Sequence, residues 1–434
     1  MKPWRTDGFG RGRPVATALA LLLLAVAIGR SGTANADAPR AAASKFSPDK
    51  LARIGDFIRN DVTAGKIPGA VILIQQHGHP VYFESFGVRD VESRRPMTAD
   101  TIFRMYSMSK AVTSVAAMML VEDGKLGLDE PVAKYIPDFA GVKVGIEKHD
   151  DSGKPVLVLE PAKRPITVKD LLCHTSGLTY GFYGDSPVRK LYAHSGLFDG
   201  DFDNAAFAAR IARLPLAEQP GTMWDYGHST DVLGRVIEVA SGQSLYAFEK
   251  ARLLDPLGMT ETAFHLADEA QRPRVAEPLP NDRFGGPIAG IADPMLKRRW
   301  ESGGAGMVGT IGDYARFVQM LLNGGTLDGR RYLKPETIAL MASDHVGPET
   351  GIARDQFYHP GDTSGFGLGF AVRTSVPPNT SWPTGEFRWD GAGGTFFFVN
   401  PRDDMFAILM MQAPSQSGRI QRALKTLIYQ ALER

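Results

Sequence analysis

Phe103-Arg104-Met105-Tyr106-Ser107-Met108-Ser109-Lys110 leads into a stretch that is almost wholly apolar or small up to Val121 and stops before Gly124. A helix apolar on most of its sides is a buried one, so Met108 to Val121 predicts a core helix that Ser107 opens. Residues three apart share a helix face, which puts the Lys110 amine within reach of the Ser107 hydroxyl. A serine at a helix start also lies beside unpaired backbone N–H groups and the positive end of the dipole. Both features stabilise an alkoxide or a tetrahedral oxyanion. A lysine held among Ala111, Val112, Val115 and Met118 loses its preference for the charged form and can accept a proton. The S-x-x-K spacing also occurs at Ser47/Lys50. There Pro48 follows at an exposed, charged helix start, and capping accounts for the serine.

The flanking sequence sets the architecture. A helical pattern runs from Ser47 to about Ala64. Next, Ala70–Ile74 and Val81–Phe86 bracket His77-Gly78-His79-Pro80 and read as an antiparallel hairpin. Helical patterns dominate from about 165 to 325: Val168–Cys173, Asn204–Leu214, Asp231–Ala240, Leu245–Leu254 and Ile311–Leu322. Strands return at Phe366–Arg373, Gly394–Asn400 and Met405–Gln412, and a helix at Arg419–Leu432 ends the pattern. The charged segment Gly141–Pro165 reads as a surface hairpin. Strands at both ends with helices between them predict an α+β fold. One antiparallel sheet with flanking helices is assembled from about 37–106 and 325–434, and a mainly helical subdomain is inserted over about 107–324.

Lys2, Arg5, Arg11 and Arg13 precede an apolar run from Val15 to Ile28, and Ala34-Asn35-Ala36 follows. These are the parts of a cleaved secretory signal over 1–36, so the chain is expected to be exported, periplasmic or secreted. The run is shorter than the roughly 20 residues of a spanning helix, so no stable membrane anchor is expected. Removing 1–36 takes the net charge from +1 to −3, which gives no basis for nucleic-acid binding. The single cysteine, Cys173, excludes an intrachain disulfide. The nine histidines show no metal-ligand spacing, and neither metal nor cofactor is expected.

Two further stretches carry polar chemistry. Trp224-Asp225-Tyr226-Gly227-His228 follows Pro220-Gly221, and a tyrosine there is able to share proton transfer with Lys110, although taken alone Tyr226 reads as a packing residue. Phe387-Arg388-Trp389-Asp390-Gly391-Ala392-Gly393-Gly394-Thr395 carries glycines that let substrate approach backbone closely. Gly304-Ala305-Gly306-Met307-Val308-Gly309 fits G-x-G-x-x-G, but Arg298–Ser302 before it is no buried strand, so it reads as a turn. Gly227-His228-Ser229 lacks the second glycine of a nucleophile elbow, and Ser229 or Thr230 reads as a helix cap. His174, at a helix end beside Thr175-Ser176-Gly177, reads as structural.

The motif around Ser107 and Lys110 resembles the active-site signature of the serine β-lactamase-related superfamily, nearest its class C-like esterase branch, the family VIII carboxylesterases. Leu171–Leu178, Pro220-Gly221-Thr222 through Leu233-Gly234, Asp255–Met259 and Gly303–Met307 are similar to that branch in the same order, so the resemblance spans roughly 47–434. It implies a sheet domain and a helical domain with the site in the cleft between them. It further implies that Ser107 is acylated, that Lys110 and Tyr226 act as a base pair, and that the N–H groups of Ser107 and Ala392 form the oxyanion hole. Two departures bear on substrate. Tyr226-Gly227-His228 stands where class C β-lactamases have Y-x-N, and Trp389-Asp390-Gly391 stands where they have K-T-G. The carboxylate-binding cation and the amide-binding asparagine are gone, and tryptophan offers an apolar wall. His228, Trp389, Asp390 and Gly391 are the expected substrate-binding positions, and a small-molecule ester the expected substrate. The alternatives on this scaffold are a D-amino-acid peptidase, a transacylase, a weak β-lactamase and a catalytically silent periplasmic binding protein.

Overall fold

A computed structural model of the protein describes residues 45–198, 201–284 and 293–433. The expected signal over 1–36 lies outside them. An eight-stranded antiparallel sheet runs in the order Ser364–Phe366, Ala371–Arg373, Phe387–Asp390, Phe396–Asn400, Met405–Met411, Gly69–Gln76, His79–Asp90, Arg95–Pro96. Among the described residues the first strand therefore lies beside the last, with Ala70 opposite Met411 and Ile74 opposite Ala407. Ala70–Ile74 and Met405–Met411 are unbroken apolar runs because both faces are covered there. Val71, Leu73, Ile408 and Met410 enter one core, while Ala70, Ile72, Ala407 and Leu409 enter the other. The terminal helices Pro48–Thr63 and Ser417–Ala431 cover the second face. His77 and Gly78 close the first hairpin with φ of 53° and 75°, the positive values that a tight two-residue hairpin turn requires.

The helix expected from Met108 to Val121 spans Ser109–Glu122, and every residue from Ser109 to Leu120 is buried. It passes beneath the helical layer, beside Ser229–Ser241. Lys143–His149 and Pro155–Pro161 form the expected surface hairpin. Ile311–Leu322 lies against the sheet, with Tyr314 5.4 Å from Phe397 and Gln75 donating to Gln319 at 2.8 Å.

Several local expectations are corrected. The single strand expected over 366–373 is two strands, because Gly369 turns the chain with φ of 97° and Gly367 N–H bonds Phe370 O at 2.7 Å. Leu245–Leu254 is α-helical to Glu249 and then widens to π-helix over Lys250–Leu254. Neither Ser229 nor Thr230 caps the following helix. His228 occupies the N-cap position, and the Ser229 hydroxyl pairs with Ser176 at 2.8 Å. Ser47 holds the cap position of the first helix without a side-chain cap bond.

Candidate active site

Ser107 sits in a single 3-10 turn, Tyr106–Met108, immediately before the buried helix. The turn is pinned from both sides. Phe103–Arg104 pairs with Val308–Gly309, and Met105 N–H bonds Met307 O at 2.9 Å. The Met105 carbonyl accepts from the Thr395 hydroxyl at 3.2 Å and lies so near Gly391 that a side chain there would collide with it. Tyr106 takes a left-handed φ of 46°, a strained conformation for a non-glycine residue that the surrounding contacts must hold. The result is a half-buried Ser107 between the end of strand Phe387–Asp390 and the helical layer.

The Lys110 amine is buried and donates to Ser107 Oγ at 3.2 Å, to Tyr180 Oη at 3.2 Å and to Gly304 O at 2.7 Å. Burial pulls it down to about 8, with Asp231 and Asp390 opposing. Its nitrogen lies 4.7 Å from the centre of the Tyr226 ring. Burial holds the Tyr226 phenol well above its ordinary range, against hydrogen bonding by Ser107. The phenol is therefore neutral and keeps its proton. Gly227 makes this arrangement possible: a Cβ there would run into Leu178 and Thr179. The close approach sets Tyr180 edge-on to Tyr226 at 5.5 Å.

A second tier of polar groups fixes Lys110. Asp231 accepts from His228 Nδ1 at 2.9 Å, from the Ser302 hydroxyl at 2.6 Å and from Gly304 N–H at 3.1 Å. Burial alone would raise this carboxyl, yet the bonds from His228 and its neighbours keep it below its ordinary value. Asp231 therefore anchors Gly304, the residue whose carbonyl holds the lysine.

The structure brings Ser107, Lys110 and Tyr226 together and places His228, Trp389, Asp390 and Gly391 outside the lining of the cavity over Ser107. A cavity of about 60 Å³ over Ser107 is lined by Tyr106, Tyr180, Phe182, Tyr183, Phe198, Tyr226, Ala305 and Ala392. His228 is 1% exposed and lies behind Tyr180, its ring 4.5 Å from that tyrosine, because Asp231 draws it inward. Trp389 backs Tyr226 at 5.4 Å and Phe366 at 5.2 Å without reaching the cavity. Asp390 turns to the opposite sheet face, across from Phe396. Gly391 serves close approach to Met105. Ala392 is exposed in the turn closed by Gly394 N–H to Gly391 O at 2.8 Å, a bond that leaves the Ala392 N–H out. His174 is a buried left-handed helix cap against Trp224, Tyr226 and Phe366. Tyr180, Phe182, Tyr183 and Phe198 escaped the sequence reading. The aromatic spacing in Tyr180-Gly181-Phe182-Tyr183 was the available signal.

The chain matches the family described as Beta-lactamase over residues 54–430 and belongs to it. It is an enzyme of the serine-hydrolase type, with esterases and acyltransferases among its relatives. Protein Rv1367c of Mycobacterium tuberculosis is 35% identical over 82% of this chain and 88% of its own length. Esterase EstB of Burkholderia gladioli is 30% identical over 84% and 91% respectively. Among solved structures, EstCE1, described as a hydrolase with promiscuous acyltransferase activity, matches with a TM-score of 0.72 and 27% identity, covering 88% of this chain and 99% of its own.

Proposed function

We propose that the protein is a carboxylesterase that acts through an acyl-enzyme on Ser107. The observation that carries this reading is the Lys110 amine 3.2 Å from Ser107 Oγ, on the floor of an aromatic pocket that also exposes Tyr226. Neutral Lys110 takes the Ser107 proton as Oγ bonds to the ester carbonyl carbon. The carbonyl oxygen takes up the negative charge facing the N–H groups of Ser107 and Ala392. Collapse breaks the bond to the leaving alkoxide, which receives its proton from the Tyr226 phenol, and Lys110 restores that proton. Water then repeats the sequence and frees the carboxylic acid. An alcohol in place of water gives acyl transfer, a second outcome that the aromatic lining favours for apolar acceptors. Export of a mature chain beginning at Asp37 belongs to the same proposal, and intact-mass analysis of exported protein tests it.

The pH dependence follows from Lys110. Only the neutral amine accepts the serine proton, and its proton is lost near pH 8. kcat/KM should rise about tenfold per pH unit below that point and level above it. Burial favours loss of this proton and Asp231 is the foremost group opposing that loss, so Asp231→Asn should move this limb to lower pH. A limb that stays in place or moves upward in that variant counts against Lys110 as the base.

Substrate class is tested by side-by-side specificity constants. The cavity is lined by aromatic rings, and no cationic side chain stands among its lining residues. A site without a built polar partner does not demand that group of its substrate. Aryl acetates and butyrates should be cleaved readily and cephalosporins slowly or not at all. A cephalosporin value above that of the best ester would overturn the esterase reading.

A further inference from the structure

On the sheet face away from Ser107, a second cavity of about 400 Å³ opens between strand Phe387–Asp390, the loop over 374–386 and the start of helix Ser417–Ala431. Four cations line it, Arg373, Arg388, Arg422 and Lys425, against one lining carboxylate, Asp390. Glu386 lies buried beside them and is already committed. It accepts from Lys425 and, at 2.6 Å, from Tyr429, and it pairs with Arg373 Nε at 3.5 Å without a hydrogen bond. Arg373 is 4% exposed and Lys425 3%. Burial pulls Lys425 down to about 7, and Arg373 and Arg388 push it further against the pull of Glu386. Three arginines and Lys425 thus outnumber the two carboxylates beside them, and buried charge is stable only when it is paired. Gly418, in the first turn of the 15-residue helix, adds the positive end of its dipole to the same cavity. The remaining walls mix apolar residues with the polar His359, Thr363 and Gln421. Trp382 lies 4.4 Å from the Lys425 nitrogen and 5.1 Å from the Arg373 guanidinium, and Phe396 and Pro377 stand nearby.

We propose that this cavity binds a small carboxylate with an apolar body, the head group meeting Arg388, Arg422 and Lys425 and the body lying along Trp382. Arginine forks match a carboxylate's two oxygens, and the tryptophan face suits a planar or alkyl body. The cavity adjoins the catalytic pocket without being part of it. Asp390 lines it and acts electrostatically on Lys110, and His359 lines it with its ring 5.2 Å from Tyr226. Occupancy therefore bears on the Lys110–Tyr226 pair from behind.

Calorimetric titration of the purified protein with benzoate, and with benzamide as the neutral match, tests this without reference to turnover. One saturable benzoate site is expected, with benzamide at least about tenfold weaker. Arg388→Gln and Arg422→Ala should each weaken benzoate about tenfold or more. Arg422 is exposed, so its removal leaves the fold in place, and circular dichroism of both variants checks this. Phe182→Ala, in the wall over Ser107, should leave benzoate binding unchanged. Absence of saturable binding, equal binding of benzamide, or indifference to both arginine variants would overturn the proposal. Loss of binding in Phe182→Ala would place benzoate over Ser107 and overturn it as well. Because no arm uses catalysis, failure of the esterase reading leaves this test standing.

Discussion

Ser107→Ala is expected to abolish ester turnover while leaving thermal unfolding nearly unchanged, the largest effect of any single substitution here. The hydroxyl is half-buried, it faces the cavity, and the bond it receives from Lys110 is one of three the amine makes. Removing it takes away the atom that forms the acyl bond, and no packing contact of consequence. A serine-directed phosphonate should label this residue alone. Ser47 stands at a helix start without a side-chain cap bond, and Ser229 is fully buried against Ser176. Peptide mass spectrometry decides the point: label on either of those serines, or undiminished turnover in the alanine variant, would remove Ser107 from its role.

The second large effect is expected from the proton-transfer pair. Tyr226→Phe keeps a ring that stacks on Trp224 at 5.8 Å and backs onto Trp389 at 5.4 Å, but it cannot carry a proton. Turnover should fall by on the order of a hundredfold or more, with substrate binding far less affected. Lys110→Met, similar in volume, should do the same. The two losses should be strongly non-additive, because Lys110 and Tyr226 handle the same proton. Tyr180 sharpens the comparison. It also meets the amine, at 3.2 Å, so Tyr180→Phe should cost much less if Tyr226 alone serves the leaving group. A profile with Tyr180 and Tyr226 reversed would exchange their roles.

The candidate catalytic residues were legible where short-range geometry decides. Ser107 and Lys110 are three apart at the head of a buried helix, and helical spacing alone brings them into contact. The sheet was legible because Ala70–Ile74 and Met405–Met411 are apolar at every step, which only a strand covered on both faces requires. The substrate wall was not legible, because it depends on which side of a chain crossing each ring falls. Trp389 and His228 occupy positions that suggest substrate contact, but the strand's alternation turns Trp389 against Tyr226 and Asp231 holds His228 inward. Conversely, Phe182 and Phe198 reach the cavity from loops whose course no periodicity announces. The split of 366–373 turned on the left-handed backbone at Gly369, a local event inside an otherwise convincing strand pattern.

The pairing of Gly69–Gln76 with Met405–Met411 has a consequence for how the molecule comes into being. The central strands of the sheet are brought together by closing a loop of nearly the whole chain. Contacts of such sequence separation are slow to form, and a polypeptide still being made cannot form this one until its final segment emerges. Until then the amino-terminal hairpin presents an open apolar edge, the kind of surface on which partly folded chains associate. The turn holding Ser107 leans on Thr395 and Gly391 from that same late segment. The Ser107 turn is therefore among the last features to be completed, and a chain cut short before residue 405 should be both aggregation-prone and inert.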